Sequence, residues 1–271
     1  MEKRTRSPIV DGLFYPEDPA GALSYMRDIE QADTGVALAR AVIAPHGAWE
    51  ISGRLTGAAF ASASGRKNLS RIVVMGPVHD STENGIFLSA SHSFQTPLGE
   101  LRVDQEASKW LESYSPLIRV NDIPHLREHS IEVLLPFLKY FFPKAAIVPI
   151  LMCGHEKKHI GILANALRAA FAPNMEDTLL AVSFNLVVHP GNGSEMQAVD
   201  ECVELFRKGN LEKLRRSFDG GRIAGCGDAL VNALMQSTLI DGTLPRMASQ
   251  SLLNAIGEKD NSVYYGAFSF V

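Results

Sequence analysis

Apolar and polar positions along the chain follow two rhythms. Short apolar runs, the first two ended by Pro or Gly-Pro, predict buried strands. They are Ala41-Val42-Ile43-Ala44, Arg71-Ile72-Val73-Val74-Met75, Ala145-Ala146-Ile147-Val148-Pro149-Ile150-Leu151 and Thr178-Leu179-Leu180-Ala181-Val182-Ser183. Between them lie longer stretches of helical spacing, at residues 19–26, 52–63, 104–114, 155–171, 196–207, 211–218 and 228–234. In the helix at 104–114, Trp110 and Leu111 are expected on the inner face. A further helix starts at Asn121 and runs through His129, Ile131, Val133 and Leu134 until Pro136 interrupts it. The segments 85–89 and 100–104 flank the turn signal Thr96-Pro97-Leu98-Gly99 and predict an appended β-hairpin, and residues 262–271 read as a final strand. Strands alternating with helices imply an α/β fold, with a largely parallel or mixed central sheet and helices on both faces. No linker-like composition divides the 271 residues, so one domain over 1–271 is expected.

Several strand ends carry chemistry. Pro45 and Gly47 stop the first strand, which leaves His46 at its carboxyl end, and Gly76-Pro77-Val78-His79 repeats the design. A third passage runs from Phe184 through Asn185 to His189. In an open α/β sheet the carboxyl edge is where ligands and catalytic groups gather. Cys226, flanked by Gly225 and Gly227 at the start of a helix, adds a thiol whose ionised form the helix dipole favours. Imidazole and thiolate both ligate transition metals, so His46, His79, Asn185 or His189, and Cys226 are the chemistry-bearing candidates.

Composition narrows the class. A net charge of −4 without a basic cluster argues against nucleic acid as partner. The basic start at residues 1–6 lacks a following apolar stretch, so it is not read as a signal peptide, and no apolar run is long enough to span a bilayer. Three irregularly spaced cysteines fit a reducing cytoplasm rather than a disulfide framework, and Cys202 and Cys153 read as core residues. His125-Leu126-Arg127-Glu128-His129 has the spacing of an inverted zinc peptidase motif; otherwise Glu128 and Glu132 cap or pair near a helix start while the two histidines line a cleft. His155 and His159, separated by Glu156, Lys157 and Lys158, read as a solvated face.

In chain order, Gly12-Leu13-Phe14-Tyr15-Pro16, Ala44-Pro45-His46, Gly76-Pro77-Val78-His79, the stretch 96–104, the stretch 128–138 and Ala224-Gly225-Cys226-Gly227 resemble the signatures of the MEMO-like family. The resemblance implies a fold related to class III extradiol dioxygenases, non-haem iron enzymes that open catechol rings. It implies a transition-metal cofactor (Fe, Cu or Zn) on His46, His79 and Cys226, with cysteine in place of the dioxygenase glutamate. A thiolate shifts such a site toward copper or zinc. It further implies a small-molecule or peptide ligand in the cleft, with His189, His129 and Asn185 as the residues that handle it.

Two departures stand out. The family's Ser-Ser-Asp-Leu-Ser-His-Tyr is Ser183-Phe184-Asn185-Leu186-Val187-Val188-His189 here, and its His-Ala-Gly-Tyr is His46-Gly47-Ala48-Trp49. Either a one-residue shift still brings His189 to the pocket, or Val188 takes the family position and the acid–base group is lost. A dioxygenase-like oxidoreductase and a non-catalytic binding module that keeps the old cleft are both open on these grounds.

Overall fold

The computed structural model describes residues 4–32, 38–80, 83–188, 195–220, 224–247, 253–256 and 262–271. Its central feature is an eight-stranded mixed sheet of β1 (Ala41–Ala44), β2 (Arg71–Pro77), β3 (Gly85–Leu88), β4 (Ile118–Val120), β5 (Ala146–Cys153), β6 (Thr178–Ser183), β7 (Pro245–Met247) and β8 (Phe268–Phe270). The strands lie in the order β7-β8-β1-β6-β2-β5-β3-β4. β1, β6, β2 and β5 are parallel neighbours, so their carboxyl ends emerge along one edge. β8 and β3 flank this block in antiparallel pairing.

Helices cover both faces, as α/β patterning requires. They are α1 (Pro19–Ala32), α2 (Arg54–Ala61), α3 (Gln105–Tyr114), α4 (Leu135–Phe141), α5 (Lys157–Phe171), α6 (Glu195–Arg207), α7 (Leu211–Asp219) and α8 (Asp228–Gln236). The two-residue period of a strand sorts its side chains between them. Val42, Ala44, Ile72, Val74 and Ala181 pack with Met26, Phe60 and Phe137 of α1, α2 and α4. Ala41, Ile43, Val73, Met75 and Val182 pack with Leu111, Leu163, Phe206, Leu214 and Leu234 of α3 and α5–α8. Full burial of each large apolar side chain contributes roughly 1.5–3 kcal/mol, which makes the sheet edge a rigid mount. Trp49 is part of this packing, 3% exposed among Tyr15, Tyr25 and Phe137.

Two smaller sheets flank the edge. Ala224–Cys226, Asn185–Val188, Ser262–Tyr265 and Leu253–Ile256 form one, antiparallel throughout. Thr5–Arg6 pairs parallel with Ser93–Phe94, which pairs antiparallel with Leu101–Arg102.

Four expectations from the sequence are corrected here. The Thr96–Gly99 turn forms, closed by two backbone hydrogen bonds, but it joins Ser93–Phe94 to Leu101–Arg102. Residues 85–88 instead enter the main sheet as β3, because all four are buried and only a two-sided sheet covers both faces. The helix expected from Asn121 ends after one turn at His125, and a short 3-10 turn at Glu132–Leu134 leads into α4, where Pro136 occupies the first turn. Between them the Glu128 carboxylate takes the N–H groups of His129 and Ser130, replacing helical bonding. The C-terminal stretch splits, with Ser262–Tyr265 in the small sheet and Phe268–Phe270 in the main one. Trp110 is 41% exposed and stacks on Tyr114, so of that pair only Leu111 faces the core.

Candidate metal centre

The carboxyl edge of β1, β6 and β2 is where the predicted donors meet. His46, 2% exposed, follows β1 after Pro45; its N–H donates to Asn185 Oδ1 at 3.1 Å and its Nδ1 lies 2.7 Å from the hydroxyl of Ser183, the last residue of β6. Ser183 gives its single proton to the Ser130 carbonyl at 2.7 Å. The hydroxyl can therefore only accept from His46, which fixes the Nδ1–H tautomer and leaves the lone pair on Nε2. That Nε2 is buried and has no hydrogen-bond partner. Burial, helped by His79 and His129 nearby, holds the imidazole well below its usual pKa, so the lone pair stays free at neutral pH.

His79 is held by a carboxylate. Glu128 accepts the His79 N–H at 2.6 Å and faces its Nδ1 at 2.9 Å, while the ring also hydrogen-bonds Cys226. Burial opposes protonation of His79, but the bonds to Cys226 and Glu128 outweigh it and raise its pKa to about 10. Burial likewise favours the neutral form of Glu128, yet His79 holds that carboxyl at about 2. A carboxylate behind the Nδ1 of a ligating histidine is the usual way such a ring is oriented toward a metal.

Cys226 arrives from the small sheet, in register with Asn185. The next residue, Gly227, has φ +101°, and a Cβ there would stand 2.3 Å from the Ser183 carbonyl oxygen. Only glycine lets the chain pass this close and start α8. One donor atom each from His46, His79 and Cys226 lie within 4.8 Å of one another. Two soft or borderline donors and a thiol suit copper or zinc, and the orphaned Nε2 of His46 is the kind of atom a metal would satisfy. A second donor group, His79 with Glu128 and His129, shares His79, but Glu128 is already engaged by His79, His129 and Ser130.

A Memo-like protein family model matches residues 6–267 of this chain. The chain belongs to the Memo-like family. A MEMO1 family protein from Aeropyrum pernix is 28% identical over 97% of this chain and 99% of its own length. One from Nitrosopumilus maritimus is 24% identical over 98% and 99%. An uncharacterized protein of solved structure from Escherichia coli K12 is 15% identical, with a TM-score of 0.46 over 84% of this chain and 98% of its own.

Around the donors of this Memo-like chain, His129 stacks on His79 at 5.0 Å between ring centroids and stands 6.0 Å from His46. Burial lowers its pKa against the pull of Glu128, so at neutral pH it is an uncharged base. Asn185 is buried and positions the His46 backbone. His189 lies outside the described residues. The histidines of the peptidase spacing are separated, because His125 closes its one-turn helix with Nε2 donating to the Phe87 carbonyl at 3.1 Å and belongs to neither donor group. His159, expected on a solvated face, is 5% exposed, while His155 stays outside and meets Asp228.

Three supports escaped the sequence reading: Ser183 as the tautomer-setting hydroxyl, Glu128 as the carboxylate behind His79, and Arg6. The Arg6 side chain, 1% exposed, pairs with Glu132 and donates to the carbonyls of His125 and Glu128, so it grips the loop that presents Glu128. Glu132 also accepts from Ile9 N, Val10 N and the Tyr15 hydroxyl. The Tyr15 and Glu132 of two separate motifs are therefore parts of one clamp. An acidic residue three after His129 and an aromatic hydroxyl near the start were the available signals, but nothing local links them.

The same loop gives a pH prediction. Burial pushes His125 down to about 4 from 6.5, despite its bond to Phe87 and aided by nearby Arg6. A depressed folded-state pKa contributes stability that is present above the unfolded value and is lost as pH falls through the folded one. Chemical-denaturation stability is thus expected to decline between pH 6.5 and about 4, and more shallowly in a His125→Gln variant. Identical slopes in the two proteins would show that His125 contributes nothing to acid sensitivity.

Proposed function

We propose that this Memo-like protein binds one transition-metal ion, copper or zinc by preference and iron by analogy with the dioxygenases, through His46, His79 and Cys226. The observation that carries the reading is the buried, unpartnered lone pair on His46 Nε2, set by the Ser183 relay and aimed at the same space as the other two donors. A pocket of about 350 Å³ lies beside the other two donors, lined by His79 and Cys226 among others. That size suits a small ligand such as an ortho-diol or a related oxygen chelator better than a peptide.

The chain's own residues divide the work. Ser183 and Asn185 orient His46, and Glu128 orients His79. His129, uncharged beside both rings, is a neutral base packed against the donors rather than part of the pocket wall. When bound, the metal supplies Lewis-acid polarisation of the ligand's oxygens. Ring opening of a catechol is the finer reading, supported by the family's relation to the extradiol enzymes. A binding module without turnover is the second reading, favoured by Asn185, whose carbonyl oxygen accepts the His46 N–H and whose amide does not act as an acid or base near neutral pH.

Competition between the protein and a chromophoric chelator tests the metal claim. One equivalent of copper or zinc is expected to bind, with a thiolate-to-metal absorption band for copper. No uptake of iron, copper or zinc would sink the reading. Oxygen consumption with a panel of catechols then separates turnover from binding alone.

A further inference from the structure

The pocket beside the donors has a second ionisable end. His155 and Asp228 line it together with His79 and Cys226, and they also line a neighbouring cavity of about 120 Å³ that neither His79 nor Cys226 reaches. His155 comes from the turn between β5 and α5, and Asp228 is the first residue of α8, so the tertiary fold alone brings them together. Their Nδ1 and Oδ1 are 2.8 Å apart. The Asp228 side chain is only 12% exposed and is fixed by the Ala229 N–H at 2.6 Å, whereas that of His155 is 70% exposed. A carboxylate only accepts, so Nδ1 carries the hydrogen and Nε2 holds the lone pair. An acid-backed imidazole of this kind is the arrangement that takes up a proton and stabilises the resulting imidazolium.

We propose that His155, positioned by Asp228, accepts the proton that a hydroxyl ligand releases on binding in this pocket. The ligand O–H bond breaks, an N–H bond forms at His155 Nε2, and the electron pair stays on the ligand oxygen; nothing is oxidised or reduced. Solvent exposure of His155 lets that proton pass to bulk water. The pocket would thereby favour phenols, catechols and enols over ethers or alkyl groups of the same shape. Charged and titratable groups around His155 are Asp228 on α8, Glu156 and Lys157 from its own segment, Asp219 on α7, and His79 and Cys226 along the pocket. The bond to Asp228, opposed by burial, raises the His155 pKa above 6.5, consistent with a ready acceptor. The choice of ligand class rests on the ortho-diol reading above.

Calorimetric titration of zinc-loaded protein with catechol, in two buffers of different ionisation enthalpy, counts the protons released. Run at several pH values from about 7 to 9, below the value near 10 of a phenol, the titration covers the range in which His155 starts uncharged and serves as the sink. His155→Gln is expected to release about one more proton per catechol than the unmodified chain and to bind about tenfold more weakly, a penalty of about 1.4 kcal/mol. Melting temperatures should match, since the replaced side chain is mostly in solvent. A purely structural role would change affinity or melting without changing the proton count. Equal proton counts would overturn the assignment alone; failure of the unmodified protein to bind catechol would overturn the ortho-diol reading with it, while zinc uptake is judged separately by the chelator experiment.

Discussion

Alanine in place of His46 is expected to weaken copper or zinc binding by more than about 100-fold, because it removes a ligand outright, whereas losing an outer-shell partner typically costs 10–100-fold. The effect should exceed that of Ser183→Ala, which leaves the ring but frees its tautomer. His125→Gln is the control, since His125 is as buried as His46 yet belongs to neither donor group. Its affinity should equal that of the unmodified protein. A zinc site of the His-x-x-Glu-His type demands the opposite pattern, so the two variants decide between the readings in one chelator titration. Circular dichroism on both confirms that the comparison is between folded chains.

The second large effect is expected at Arg6. Its side chain and that of Glu132 are each 1% exposed, and breaking one side of such a pair leaves a buried, uncompensated charge. Arg6→Met should cost about 3–5 kcal/mol, or roughly 6–20 °C in melting temperature. An apolar double replacement is not expected to restore this, because Ile9 N, Val10 N and the Tyr15 hydroxyl would all lose their acceptor when Glu132 goes. The clamp also holds the Glu128 carbonyl, so surviving Arg6→Met protein should bind metal more weakly as well. A melting temperature within about 2 °C of the unmodified chain would show the pair to be dispensable.

Much of the architecture was readable because buried parallel strands advertise themselves. Runs such as 41–44 and 71–75 must be apolar on both faces, and the Pro or Gly-Pro that ends them marks where a side chain leaves the sheet. His46 and His79 were visible as chemistry for that reason, and Cys226 for its flanking glycines. The stretch 121–136 misled, because apolar spacing there is helical while the Glu128 carboxylate diverts the backbone N–H groups. Residues 85–88 misled as well, since a strand's sequence does not name its partner. His155 was read as solvated from its charged neighbours, and only Asp228, far along the chain, changes its meaning.

The sequence by itself determined the α/β class, the order of most elements, the family signatures and three of the donor positions, because each depends on periodicity and residue type within a few turns of chain. The tertiary structure alone decided which nitrogen of His46 is free, that Glu128 stands behind His79, that Arg6 clamps the loop presenting Glu128, and that His155 meets Asp228. Those facts depend on hydrogen bonds between residues far apart along the chain, whose direction and distance no local pattern encodes.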